Sequence, residues 1–210
     1  MDRFLLYNQT LRLLPQKCIF WEEESALIMS DLHLGKVTHF RKAGIQAPVA
    51  LIKNDIEKLE LLLHAFKPKK WIIVGDLFHS TLNAEWELFS NLVDLFTATE
   101  TILVRGNHDS MPAYVLKNAK VKSVSTLFLD PFAFAHHPIL HSVHYVISGH
   151  VHPAIMMQGK AKQSLKLSCF YFGASFALLP AFGNFTGHQI VKPRVGDTVF
   201  AIAGQSIIKI

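Results

Sequence analysis

An α/β fold with two β-sheets packed face to face and helices outside is predicted by three features of this sequence. In the first half, apolar runs of strand length alternate with segments whose apolar residues recur at helical spacing. The second half changes to strands joined by short connections. Throughout, polar residues recur where strands end, and α/β folds place their ligand sites at the carboxyl ends of strands.

The elements follow in order. Phe4 to Tyr7, Leu11 to Leu14 and Cys18 to Trp21 read as strands around a turn, and Leu27-Ile28-Met29 as a buried strand that stops at Ser30-Asp31. Pro48 to Phe66 carries Ile52, Ile56, Leu59 and Leu63 on one helical face, with Pro68 just past its end. Trp71 to Val74 is a buried strand ending at Gly75-Asp76. Asn83 to Phe96 is a second amphipathic helix with Asn83 as its N-cap. Thr101 to Val104 is a strand ending at Gly106-Asn107. Further strands are expected at Phe132 to Ala135, Tyr145 to Ile147, Phe170 to Phe172 and Thr198 to Ile202, with a Gly204-Gln205 turn into Ser206 to Ile210.

At 210 residues the chain is expected to form one domain, 1–210. Half the residues are apolar and 18% are charged, which excludes the disordered class. The formal net charge of +5 favours approach of a polyanion without identifying a nucleic-acid binder. Cys18 and Cys169 lack metal-finger spacing and are expected as reduced, buried thiols. The most apolar stretch, Cys169 to Phe182, is too short to span a bilayer and is interrupted by Gly173 and Pro180. Met1-Asp2-Arg3, followed by short apolar pieces broken by Asn8, Gln9 and Thr10, is not a secretory signal pattern. A soluble cytoplasmic protein with no membrane association is expected.

The chain has 12 histidines, and several stand near another donor. Five segments end apolar strands with metal-ligand residue types: Asp31-Leu32-His33, Gly75-Asp76, Gly106-Asn107-His108-Asp109, His136-His137 and Gly149-His150-Val151-His152. Taken singly, each reads as an ordinary turn; five together do not. Asp31, His33, Asp76, Asn107, His136, His150 and His152 are seven donors of imidazole, carboxylate and amide type. That mixture suits Mn, Fe or Zn. Seven protein ligands exceed what one such ion takes and suit two ions sharing a carboxylate, for which Asp76 is the expected bridge. A pair of metal ions is suited to hydrolysing a phosphate ester.

The order Asp-X-His, Gly-Asp, Gly-Asn-His-Asp, His, Gly-His-X-His, running from Asp31 to His152, resembles the calcineurin-like metallophosphoesterases. The resemblance implies a four-layer α/β/β/α sandwich of two mixed β-sheets flanked by helices. It also implies one divalent ion held by Asp31, His33, Asp76 and His152, and a second held by Asp76, Asn107, His136 and His150. Ser30 to Lys36, Phe40 to Ile45 with Pro48, and Gly75 to Ser80 are more narrowly similar to the bacterial ligase-associated DNA-damage-response endonucleases. That likeness implies DNA as the substrate and a DNA ligase or helicase as a partner; the expected cofactor is two divalent transition-metal ions, Mn first, with Fe, Zn or a mixed pair as alternatives.

His108 is the candidate general acid for the leaving oxygen. Asp109 can orient its imidazole, or else cap a following helix. His79, Arg41 and Arg105 are candidates to contact substrate, with Lys36 also near the motifs; any one of these can instead be ordinary solvated surface. His137 would position the His136 loop or exchange roles with it. Ser30, Ser80 and Ser110 read as turn residues rather than nucleophiles. Other readings keep the fold: a phosphodiesterase or phosphatase for cyclic nucleotides or nucleotide-linked metabolites, or a scaffold without catalysis.

Overall fold

The structure, a computed structural model, describes residues 2–36, 50–78, 84–141, 143–159, 163–184 and 186–210. The first sheet runs β1 (Asp2–Leu6), β2 (Gln9–Leu14), β3 (Cys18–Trp21), β4 (Ala26–Met29), β5 (Lys70–Val74), β6 (Glu100–Val104) and β7 (Val121–Val124), with spatial order equal to chain order. Up to β4 the pairing is antiparallel; from β4 to β7 it is parallel. Crossovers between the parallel strands carry α1 (Ala50–Phe66), α2 (Ala84–Leu95) and α3 (Ala113–Asn118). Pro48 and the expected N-cap Asn83 lie outside the described residues.

The second, mixed sheet is built from β8 (Leu127–Leu129), β9 (Phe132–Phe134), β10 (Tyr145–Ser148), β11 (Pro153–Gln158), β12 (Ser164–Phe172), β13 (Phe176–Leu178), β14 (Gln189–Ile190), β15 (Thr198–Ala203) and β16 (Ser206–Lys209). In it β10 lies parallel to both β9 and β13. The short α3 and the strands β7, β8, β11, β13 and β14 have no counterpart among the elements expected from the sequence. They are two to six residues long, and segments so short carry little periodicity.

Alternation of side chains explains the layers. Leu27, Met29, Trp71, Ile73 and Leu103 point to one side and meet Leu59, Leu63, Trp86, Phe89 and Leu116 of the three helices. Ala26, Ile28, Ile72, Val74 and Ile102 point to the other side and meet Phe132, Phe134, Ile147 and Phe170 of the second sheet. The central strands β4, β5 and β6 are therefore apolar on both faces, as strands buried between two layers must be. Burying one such side chain stabilises the fold by about 1.5–3 kcal/mol. All three described helices lie on the first sheet, so the helical layer expected outside the second sheet is not among the described residues.

Cys18 sits in the helix-side cluster and Cys169 in a separate cluster on the second sheet, both as free thiols. Burial pushes both thiols up to about 12. Neither is expected to react with a disulfide reagent at pH 8 in the native protein, and both are expected to react once guanidinium unfolds it. Titration of thiols with and without denaturant checks this.

Candidate metal centre

The carboxyl ends of β4, β5, β6, β9 and β10 open onto one cleft. Backbone bonds lock the loops there. The Asp31 N–H donates to Gly75 O, His33 N–H to Asp76 O, and Leu34 N–H to Leu77 O. From the second sheet, Gly149 N–H donates to His136 O, and the His150 N–H reaches the Asp31 carboxylate at 3.0 Å. Asp31, His33, Asp76 and His136 form a buried floor, while Asn107, His108 and His150 stand exposed around it.

Two donor groups meet on that floor. In one, His152 Nε2 is 3.2 Å from Asp31 Oδ1, and ligating atoms of Asp31, His33 and His152 lie within 4.8 Å of one another. In the other, His136 Nε2 is 3.0 Å from Asn107 Oδ1, 3.2 Å from His150 Nδ1 and 3.4 Å from Asp76 Oδ1. Asp76 joins the two: its Oδ1 faces His136, and its Oδ2 lies 3.9 Å from His33 Nε2. The seven residues singled out in the sequence are thus brought to one place, and they can hold divalent cations.

Protonation states agree with cation binding. Burial alone would raise the Asp31 carboxyl, but the hydrogen bond and charge of His152, then the charge of His136, carry it below its ordinary value. Burial, then the neighbouring His137 and His136, lower His150. The shift favours the neutral imidazole, the form that binds a metal.

Close packing around the donors is a further mark of a built site. A Cβ on Gly75 would fall 2.0 Å from His136 Nδ1, one on Gly106 2.2 Å from Asp76 Oδ1, and one on Gly149 2.5 Å from Asp31 Oδ2. Each motif glycine therefore makes room for a ligand from another motif. Asp31, His33, Asp76, His150 and His152 all have left-handed backbone, with φ between 49° and 64°. Such conformations are costly for non-glycine residues and cluster at functional sites.

The model of the calcineurin-like phosphoesterase family matches residues 25–138, more than half of the chain. This chain belongs to the calcineurin-like phosphoesterase family. It is a metal-dependent phosphoesterase, and its fold is that family's pair of mixed β-sheets with flanking helices. Among solved structures it is similar to the Pseudomonas putida nuclease MPE, with 27% identity, a TM-score of 0.83, and coverage of 100% of this chain and 99% of that one. Yfce, a phosphoesterase from E. coli, is a more distant likeness at 14% identity and a TM-score of 0.45, covering 88% of this chain and 97% of that one. No curated protein sequence matches.

The phosphoesterase motifs are braced by residues with no signal in the sequence. His152 Nδ1 faces Gly187 O at 3.1 Å, which turns Nε2 toward Asp31; His136 Nδ1 likewise faces Val74 O at 3.4 Å. Residues 181–184 lie against the first motif. Phe182 N–H donates to Ser30 O and Gly183 N–H to Asp31 O. The segment is anchored on α1, where Asp55 accepts from Asn184 Nδ2 at 2.6 Å and Lys58 donates to Phe182 O at 3.2 Å. Glu85 of α2 accepts from the Gly35 N–H.

Two of the expected residues have partners that the sequence did not indicate. Helix α3 begins too late, at Ala113, to be capped by Asp109. Its buried carboxylate instead accepts the Phe78 N–H at 3.1 Å and the Gly106 N–H at 2.8 Å, tying the β5 loop to the β6 loop. Desolvation raises its pKa, against the pull of those two bonds. Arg105, expected to guide phosphate, donates to Met111 O at 3.1 Å and Ser123 Oγ at 3.3 Å and so braces its own loop. His137, by contrast, joins the centre: its ring lies 4.1 Å from that of His150. Burial draws the Lys36 ammonium below its usual range, against Asp76 and Asp31. Arg41 and His79 lie outside the described residues.

Proposed function

We propose that this chain is a two-metal phosphodiesterase that cleaves DNA and serves in DNA repair. The observation that carries the reading is Asp76, whose two carboxylate oxygens face different donor groups. In this reading Asp31, His33, Asp76 and His152 hold one cation; Asp76, Asn107, His136 and His150 hold the other. Mn suits the imidazole, carboxylate and amide donors. DNA as substrate is supported by the full-length likeness to a protein described as a nuclease. The same reading makes residues 1–210 one domain acting in the cytoplasm beside a DNA ligase or helicase.

When bound, the cations acidify a water and offset the charge that builds at phosphorus. The water oxygen bonds to phosphorus as the opposite P–O ester bond breaks. His108 stands at the mouth of the cleft with a 41% exposed side chain, its Nε2 3.9 Å from Asp76 Oδ2. From there it gives the departing oxygen its proton. His108→Ala is expected to lower kcat on DNA by about 10²–10⁴-fold, the usual contribution of a general acid. With a p-nitrophenyl leaving group, which departs without protonation, the loss is expected to be far smaller. Equal losses on both substrates would remove the acid role.

The test of the reading is a metal-stripped preparation resupplied with Mn, Fe or Zn and offered single-stranded DNA, duplex DNA, cyclic nucleotides, monoesters and bis(p-nitrophenyl) phosphate. Metal-dependent cleavage of DNA is expected. Turnover of cyclic nucleotides or monoesters with DNA left intact would replace this reading by the small-molecule one. No turnover of any ester would leave a scaffold.

A further inference from the structure

Residues 179–184 form a strap that crosses from the second sheet to the first. Leu179 N–H donates to Ser148 O at the end of β10, and Ala181 bridges to Ser30. Phe182 N–H then donates to Ser30 O at 2.9 Å and Gly183 N–H to Asp31 O at 3.2 Å. Backbone lies on backbone here, for a Cβ on Gly183 would fall 2.4 Å from Leu32 O. Farther along, Gly187 O faces His152 Nδ1. Asp31 and His152 belong to the same donor group. Among the described residues, no hydrogen bond of residues 181–184, 186 and 187 reaches Asn107, His136 or His150.

Helix α1 holds the other side of the strap with a charged pair. Asp55 is only 8% exposed, and both its oxygens are committed to one residue. Oδ1 accepts from Asn184 Nδ2 at 2.6 Å and Oδ2 from the Asn184 backbone N–H at 3.2 Å. Lys58 Nζ lies 3.8 Å from Asp55 Oδ1, donates to Phe182 O, and stands 3.6 Å from the centroid of the Phe182 ring. A buried carboxylate is costly unless it keeps its partners. Such a pair adds little stability over apolar packing; what it does here is fix where residues 182 and 184 sit.

We propose that Asp55, Lys58 and Asn184 are positioning residues for one cation of the pair. Through the strap they place Asp31 and His152, and so set the affinity for the ion assigned to Asp31, His33, Asp76 and His152. The ion assigned to Asn107, His136 and His150 with Asp76 does not depend on them. The proposal rests on the two-metal reading above and adds an asymmetry to it.

The test is calorimetric titration of the metal-stripped protein with Mn, which follows the two binding steps. His33→Ala and Asn107→Ala, each lacking a donor of one group, identify which step is which. Asn184 is exposed, so Asn184→Ala removes the side-chain bond with little risk to folding. In it the step that His33→Ala abolishes is expected to weaken about 10-fold, as when a partner behind a metal ligand is removed. The other step should keep its affinity. Gly183→Ala, which presses on Leu32 O, is expected to weaken the same step further. Excess Mn should restore turnover of bis(p-nitrophenyl) phosphate by Asn184→Ala. Asn184→Asp sets two carboxylates together and should also weaken that step. The exchange Asp55→Asn/Asn184→Asp lets the amide at position 55 donate to the carboxylate at position 184, and is expected to bring the affinity back. Leu63→Ala opens a cavity in the core beside the same helix. It should lower the melting temperature in EDTA and leave both steps unchanged. If wild type binds two ions and the strap variants keep both affinities, or if Leu63→Ala weakens the same step as much, the positioning role is overturned and the two-metal reading stands. If wild type binds one ion or none, both fall.

Discussion

Asp76→Asn is expected to lower DNA cleavage by about 10³-fold or more while leaving the protein folded. A shared carboxylate does what an amide cannot: it offers an anionic oxygen to each of two cations. Losing that stabilisation at the reacting phosphate costs several kcal/mol, and ~4 kcal/mol corresponds to ~10³ in rate. Elemental analysis is expected to show bound metal falling from about two ions per chain to one or fewer. Stability in chelator should move the other way or not at all. Asn keeps an oxygen to accept the His108 N–H, which lies 3.0 Å from Asp76 Oδ1. It also removes one of two buried carboxylates, Asp31 and Asp76, that approach each other on the cleft floor. Thermal unfolding in EDTA together with metal content checks both halves. Undiminished cleavage by Asp76→Asn would sink the two-metal reading.

Gly106→Ala should be nearly as damaging, although it removes no donor. The added methyl would meet Asp76 Oδ1 at 2.2 Å and the Asp76 backbone nitrogen at 2.5 Å. The carboxylate could turn away, but the backbone nitrogen belongs to a loop pinned to the first motif through His33 N–H and Asp76 O. Relief therefore requires moving either the bridging residue or the Asn107 loop. Displacing donors by such amounts is expected to lower metal affinity and activity about 10²-fold, in line with losses on disturbing the shell around a metal. Forcing a methyl into packed surroundings should also cost ~1–3 kcal/mol of stability. Gly187→Ala is the control: it borders the same centre, but nothing lies within 4 Å of its added Cβ. It is expected to keep metal content and melting temperature. Calorimetric titration with Mn on both variants makes the comparison.

Much of the architecture was legible because parallel strands between two layers must be apolar on both faces, and runs such as Trp71 to Val74 announce themselves. The donors were legible because imidazoles and carboxylates directly after such runs have little structural reason to recur five times. Direction was not legible. Asp109 follows His108 in the chain, yet its carboxylate turns inward to Phe78 and Gly106, and Arg105 turns to Met111 and Ser123. Neighbours in sequence share a loop and need not share a target.

By itself, then, the sequence determined which residue types stand at which strand ends, and hence the family and the two-sheet core. Tertiary structure alone decided that Asp76 divides its oxygens between two donor groups, that glycines 75, 106 and 149 each cradle a ligand from another motif, and that Gly187 orients His152. The reason is physical. Side-chain chemistry and hydrophobic period are written locally along the chain. A carbonyl lone pair, a left-handed φ or the space left by a missing Cβ acquires meaning only from the distant segment that folds against it.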